Sequence, residues 1–190
     1  MDWFEFDVKG NAGLHVRVEA DNGALKFVLD NEGSQAADLR GFFFDLHDSS
    51  VIPGLSAAGS SITAQAKGDD AVVNLGDGVT MAGAGKFDFG VAFGTAGIGK
   101  DDIHHAEFTL TSAGRQLNLS DVLGMDFGVR FTSVGVDGGP RNNSLKLVDV
   151  GFGVVHHDSG SGDLGGGLGG IGLGGIGPGG TGPGDFLPAT

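Results

Sequence analysis

The sequence has no cysteine and no tyrosine, one tryptophan, and only 11 basic residues against 24 acidic ones. Each shortage closes off a class of function. Without cysteine there is no disulfide framework, no thiolate nucleophile and no cysteine zinc finger; because reduced and oxidising compartments both hold proteins of this kind, the absence selects no compartment. The formal charge of −13 removes the cationic surface that releases counterions from a phosphate backbone, so no nucleic-acid partner is expected. An acidic surface suits divalent cations or serves solubility alone. Nowhere do about eighteen apolar residues run together, so no transmembrane helix and no membrane insertion is expected. The opening "MDWFEFDVKG" places acidic residues where a secretory leader carries positive charge, and alternation where it carries an apolar run, so no Sec-type signal is expected.

What the chain has is alternation. In "WFEFDVK" the side chains of Phe4, Phe6 and Val8 share one face and Glu5, Asp7 and Lys9 the other, and "LHVRVEA" repeats the pattern with Leu14, Val16 and Val18. Further strands are expected at 23–30, 39–47, 61–67, 71–75, 86–94, 105–112, 126–134 and 144–155, separated by turn signals such as Asp21-Asn22-Gly23, Asn31-Glu32-Gly33, Pro53-Gly54 and Asp77-Gly78. Short strands at this spacing predict an all-β sandwich of jelly-roll-like type over residues 1–157. Its core should bury Phe42, Phe44, Phe87, Phe89, Phe108, Phe127 and Phe131. Phe43 breaks the alternation, so one residue of the 42–44 run must face another layer or a partner. Only "LNLSDVLGM" (117–125) reads as helical, a turn or two capped by Ser120.

Residues 158–190 form a second region, a Gly-rich tail. Of its 33 residues 15 are glycine and none is basic, and a pentapeptide register runs through GGIGL (169–173), GGIGP (174–178) and GGTGP (179–183). So little side chain cannot bury enough apolar area to offset backbone entropy, so alone the tail should be disordered: a linker, an export signal or an assembly segment.

The segment "GTAGIGKDDIHHAEFTLTSAGRQLNLSDVLGMDFGVRFTSVG" (94–135), with "NNSLKLV" (142–148), resembles a module found in large extracellular proteins of alphaproteobacteria and cyanobacteria that carry RTX-type calcium repeats and leave by type I secretion; "LRGFFFDLHDSSVIPGLSAAG" (39–59) resembles its earlier half. The resemblance implies a β-sandwich module of a secreted adhesin or matrix protein, and it brings no catalytic residue. The ending "DFLPAT" resembles uncleaved type I export signals. The calcium nonapeptide GGxGxDxUx itself is missing, since the tail repeats every five residues.

Chemistry is sparse. Acidic residues in turns are the candidate calcium ligands: Asp69 and Asp70, Asp77, Asp101 and Asp102, and Asp137, because calcium takes several oxygens from irregular backbone. The alternative for each is an Asp that bonds its own turn. The pairs His104-His105 and His156-His157 raise a metal or haem carrier as a third reading, although adjacent side chains on a strand face opposite ways, so one member of each pair would have to meet across strands. No GxSxG elbow or HExxH occurs, and no enzyme is expected. The expected function is a secreted, self-assembling adhesive or biofilm-matrix protein that forms fibres or a surface layer through open strand edges, with calcium as cofactor. The alternative is a glycan-binding jelly-roll module, for which Trp3 is the stacking platform on offer.

Overall fold

The computed structural model describes residues 1–95 and 101–158. The tail after Asp158, with its pentapeptides and its export-signal reading, lies outside the described residues. Strands β1 (Asp2–Val8), β2 (Leu14–Asp21), β3 (Ala24–Asn31), β8 (His105–Ser112), β5 (Leu55–Ala58) and β11 (His156–His157) make one antiparallel sheet in the order β11-β1-β2-β3-β8-β5. A second sheet has the order β10-β9-β4-β7-β6, from β4 (Ala36–Phe44), β6 (Ile62–Val72), β7 (Phe87–Phe93), β9 (Asp126–Gly135) and β10 (Asn143–Val150). The chain crosses repeatedly from one sheet to the other, and the two pack face to face as the predicted sandwich.

The alternation explains which faces meet. Phe4, Phe27 and Phe108 of the first sheet share one core with Phe42, Phe44, Phe89, Phe127 and Phe131 of the second, all essentially without solvent contact. Phe27 lies parallel on Phe108 at 4.7 Å between ring centroids. The second sheet is covered on its other face too. Phe43 points away from the main core into a smaller cluster with Val72, Val79, Met81, Phe87 and Ala92. Residues 73–86 form this cover, pinned by Leu75 N–H to the Val79 carbonyl at 2.9 Å and Met81 N–H to that of Val73 at 2.8 Å. This is the extra layer that the Phe42–Phe44 run requires. Phe87 is buried as expected, but under the cover rather than between the sheets.

Two local expectations are corrected. Residues 71–75 make no strand of their own: Val72 ends β6, and Asn74 only bridges Thr80. The helical turn at 119–121 is capped by Asn118, not Ser120; Asn118 Oδ1 accepts from Ser120 N–H while Asp121 Oδ2 accepts from Asn118 N–H, and Ser120 lies inside the turn, where its N–H is one of those that need a cap. Arg115 then grips Asp121 through both oxygens at 2.9 and 2.6 Å.

The edges differ in protection. Gln65 closes the edge of β5, its amide bonding both N–H and C=O of Ala57 at 2.8 and 3.3 Å, while Lys67 Nζ takes the carbonyls of Pro53 and Leu55. β1 is not a free edge: β11 pairs with its start, and residues 151–155 run beside it. Gly151 and Gly153 make that passage possible. A Cβ at Gly151 would stand 2.3 Å from the Phe127 ring and one at Gly153 2.5 Å from the Glu5 carbonyl, so their close approach serves the chain's own packing. Among the described residues β10 has a partner on one side only.

Phe43→Ala should cost about 3 kcal/mol, as truncated buried Phe usually does. In hydrogen exchange the loss of protection should concentrate in residues 73–86, whereas Phe42→Ala should lower protection across both sheets.

Candidate metal centre

Three carboxylates converge where β4, β6 and β7 end or bend: Asp45, Asp70 and Asp88 each bring an oxygen within 4.8 Å of the others. Asp88 sits in the middle of the apolar run "FDFGVAF" and is 5% exposed. Such a buried anion needs donors. It has them: its Oδ1 accepts from Asp70 N–H at 2.9 Å and its Oδ2 from Leu46 N–H at 3.0 Å. Its own N–H donates to Asp45 Oδ1 at 3.0 Å, so the carboxylates of Asp45 and Asp88 are both placed by backbone. Asp70 reaches the group because β6 bulges between Lys67 and Val72, which turns Asp70 into the left-handed region with φ +48°. Asp69 lies beside it on the rim of the same surface pocket, about 260 Å³ in volume, with His47 and Ser49.

The electrostatics follow from the crowding. Burial pushes the Asp45 carboxyl up to about 7, and the neighbouring charges of Asp88, Asp126 and Asp70 add to the rise against the hydrogen bond from Asp88 N–H. A divalent cation among the three would remove the repulsion that keeps a proton there. Three carboxylates completed by water would supply the oxygen-only set that calcium accepts.

Of the residues singled out from sequence, the structure brings only Asp70 into this group, with Asp69 at its rim. Asp77 stands exposed between Gly76 and Gly78 on a turn where all three have positive φ, its role a backbone one. Asp101 Oδ2 accepts from Thr95 N–H at 2.7 Å. Asp102 is clamped by both terminal nitrogens of Arg141, which holds its carboxyl below the usual range. Asp137 lies exposed in the turn before Arg141 and lines a pocket with Asp102 and that guanidinium. A carboxylate already neutralised by arginine is a poor place for a cation.

Asp45 and Asp88 were not found from sequence because alternation assigns Asp88 to a solvent face. The signal was the interruption itself, one carboxylate inside an unbroken apolar strand.

The two histidine pairs do not meet. His105 is on β8 and His156 and His157 are on β11, four positions apart in the first sheet, a separation of roughly 19 Å at ordinary strand spacing. Trp3 is not a free platform either. His156 stacks on it at 4.1 Å and 17°, and the Arg17 guanidinium lies 4.1 Å from its ring centre, which leaves no open face for a sugar. No protein-family model, curated protein or solved structure matches the chain.

A folded carboxyl raised to about 7 contributes stability that is full below the unfolded value of 3.8 and is lost as pH rises toward 7. Asp45→Asn should abolish that loss, leaving the variant more stable than wild type at pH 8 by on the order of 1 kcal/mol, a figure reduced for the group's partial exposure. Millimolar calcium should raise the wild-type melting temperature more at pH 8 than at pH 5, and barely move that of Asp88→Asn; melting curves across pH with and without chelator check both.

Proposed function

We propose that the chain is a secreted structural and adhesive module that associates with copies of itself into fibres or a surface layer outside the cell, with calcium as the promoting ion. The observation that carries this reading is the open edge of the second sheet. Among the described residues no strand lies beyond β10, and although Lys146 shares its outward face, the half toward its C-terminal end is apolar: Val148 is 43% and Val150 36% exposed. The stripe continues past the strand in Phe152 at 73% and Val154 at 76%. Inward-facing Leu145 and Leu147 pack on the core and Lys146 Nζ donates to the Ala82 carbonyl, so the strand is held in place while Val148 and Val150 stay in solvent.

The other edge of the same sheet is the complementary surface. β6 carries the devices that keep edges apart, namely the bulge after Lys67 and the carboxylates of Asp69 and Asp70. Calcium bound at Asp45, Asp70 and Asp88 would neutralise the charge at that bulge. β10 of one copy could then extend the sheet at β6 of the next, and a contact between two different edges does not close, so it propagates. The reading assigns no catalysis and no nucleic-acid or membrane partner. Export by a type I route rests on the likeness of residues 39–59, 94–135 and 142–148 to modules of such proteins. Glycan binding gains no support from Trp3, covered on both faces.

Sedimentation velocity and electron microscopy with and without millimolar calcium test the assembly. Wild type should form open-ended polymers with calcium and shift toward monomer with chelator. Val148→Lys with Phe152→Lys should leave the melting temperature within a few degrees, since both side chains are exposed, yet hold the protein monomeric. A wild-type protein that remains monomeric at high concentration with calcium overturns the reading. Deleting residues 160–190 should leave the sandwich folded, because the last described contact, Asp158 N–H to the Met1 carbonyl at 2.9 Å, is kept.

A further inference from the structure

The outer face of the first sheet carries a pattern that the assembly reading does not use. Cross-strand neighbours in one row, Asp7 on β1, His15 on β2, Asp30 on β3 and His105 on β8, alternate carboxylate and imidazole across four strands. His15 Nδ1 lies 2.8 Å from Asp7 Oδ1, and His105 Nδ1 lies 2.7 Å from Asp30 Oδ1. Each ring also has a glutamate 3.6 Å from its Nε2, Glu5 for His15 and Glu107 for His105. The row therefore holds two near-copies of one arrangement, a histidine between an aspartate and a glutamate.

The copies differ in a third element. At His15 the loop after β3 brings in Glu32, and the ligating atoms of Asp7, His15 and Glu32 all lie within 4.8 Å of one another. Two hydrogen bonds fix that loop on the β1–β2 turn: Glu32 N–H to the Gly13 carbonyl at 3.0 Å and Gln35 N–H to that of Asn11 at 2.9 Å. Asn31 ties it from behind, its Nδ2 donating to the Ala37 carbonyl and its Oδ1 accepting from Gly33 N–H. The three groups thus come from β1, β2 and a pinned loop, and they border an open pocket of about 370 Å³. His15 is also the less exposed imidazole, at 26% against 55% for His105.

We infer that Asp7, His15 and Glu32 form a binding site for a divalent transition metal of the zinc class, distinct from the oxygen-only cluster at Asp88 and independent of the proposed assembly. The donor set decides the class of ion. Zinc takes imidazole nitrogen and carboxylate oxygen at about 2.0–2.2 Å in tetrahedral sites, which puts its ligand atoms about 3.4 Å apart. Groups already within 4.8 Å of one another reach that spacing by small side-chain rotations. Calcium and magnesium, which prefer oxygen throughout, gain little from the imidazole. The ring itself is set up for the exchange. With the Asp7 carboxylate 2.8 Å from Nδ1, that nitrogen must carry the proton when no metal is present, because two acceptors would repel at that distance. A metal ion at Nδ1 takes the place of that proton, and Nε2–H then faces Glu5, the carboxylate beyond the ligand that commonly orients a metal-bound histidine. Three protein ligands leave the fourth position open to water or to a donor from another molecule. Lys9 lines the same pocket, and its positive charge is outweighed by those of Glu5, Asp7 and Glu32 around the ring.

His105 is the built-in control, having the same two contacts without a third ligand from another element. Titration of the full-length, metal-free protein with zinc chloride by calorimetry, in the presence of excess calcium, should show one site per chain. Glu32→Gln, which keeps size and loop bonds, should weaken binding roughly tenfold or more, and His15→Ala should remove it. His105→Ala should bind as wild type does. Nuclear magnetic resonance of the histidine rings should show zinc shifting His15 and leaving His105 in place, a readout that does not depend on any variant folding. Absence of zinc binding by wild type at micromolar concentration, equal loss in the His105 and His15 variants, or unchanged binding in Glu32→Gln would each overturn the site.

Discussion

The second sheet has to be buried on both faces, and most of the molecule follows from that requirement. A strand reading Phe42-Phe43-Phe44 cannot be half-solvated, since whichever way it is turned at least one aromatic ring points to the wrong side. The main core takes Phe42 and Phe44, and residues 73–86 are folded back to take Phe43. Once that cover exists, β7 beside it is enclosed throughout its length, and its one carboxylate, Asp88, can no longer face water. The donors that satisfy Asp88 come from Leu46 at the end of β4 and Asp70 in the bulge of β6. The acidic cluster is thus a by-product of aromatic packing before it is a site for anything else.

The two sheets divide the work of the surface accordingly. With its central strands covered on both faces, the second sheet meets solvent mainly at its edges, where the contrast between β10, with Val148 and Val150 exposed, and bulged β6, with Asp69 and Asp70, arises. The first sheet keeps its outer face in water and uses it for a lattice of paired polar side chains: Asp7 with His15, Asp30 with His105, Lys26 with Glu107 and Arg17 with Glu19. Individually such exposed pairs contribute little to stability. Their regular placement matters more, because it fixes which polar groups can converge, and a loop carrying one further glutamate is enough to make one of the pairs different from the rest.

How much of this was legible in the sequence depends on range. Period-two alternation located most strands and the buried phenylalanines, since a half-buried strand writes its two faces directly into the residue order. The broken alternation at Phe43 even implied a further layer. Strand β5 left no trace, because "LSAA" is too short and too small in side chain to show a period, and what fixes it is its ladder with β8 and Gln65 reaching over from another strand. The acidic cluster was half legible: Asp69 and Asp70 advertise a turn, but Asp45 and Asp88 join them only through the pairing of β4 with β7 and β7 with β6. His15 was read simply as an outward residue of its strand. Its neighbours 8 and 17 positions away, Asp7 and Glu32, become neighbours only when sheet register and loop path are known.

One consequence lies in how the sandwich would bear a load. Met1 and Asp158 are hydrogen-bonded to each other at the same corner, where β11 pairs with the start of β1. A force drawing residue 1 away from residue 158 acts along those rungs, at right angles to the strands, and opens them one at a time, like a zipper, instead of shearing a whole ladder at once. Beyond them it meets only the run of residues 151–155 laid against β1, in which Gly151 and Gly153 offer no side chain to resist. Under tension the molecule therefore has a soft first stage that pays out the terminal segment and bares the edge of β1, while the aromatic core, loaded through neither end, stays shut.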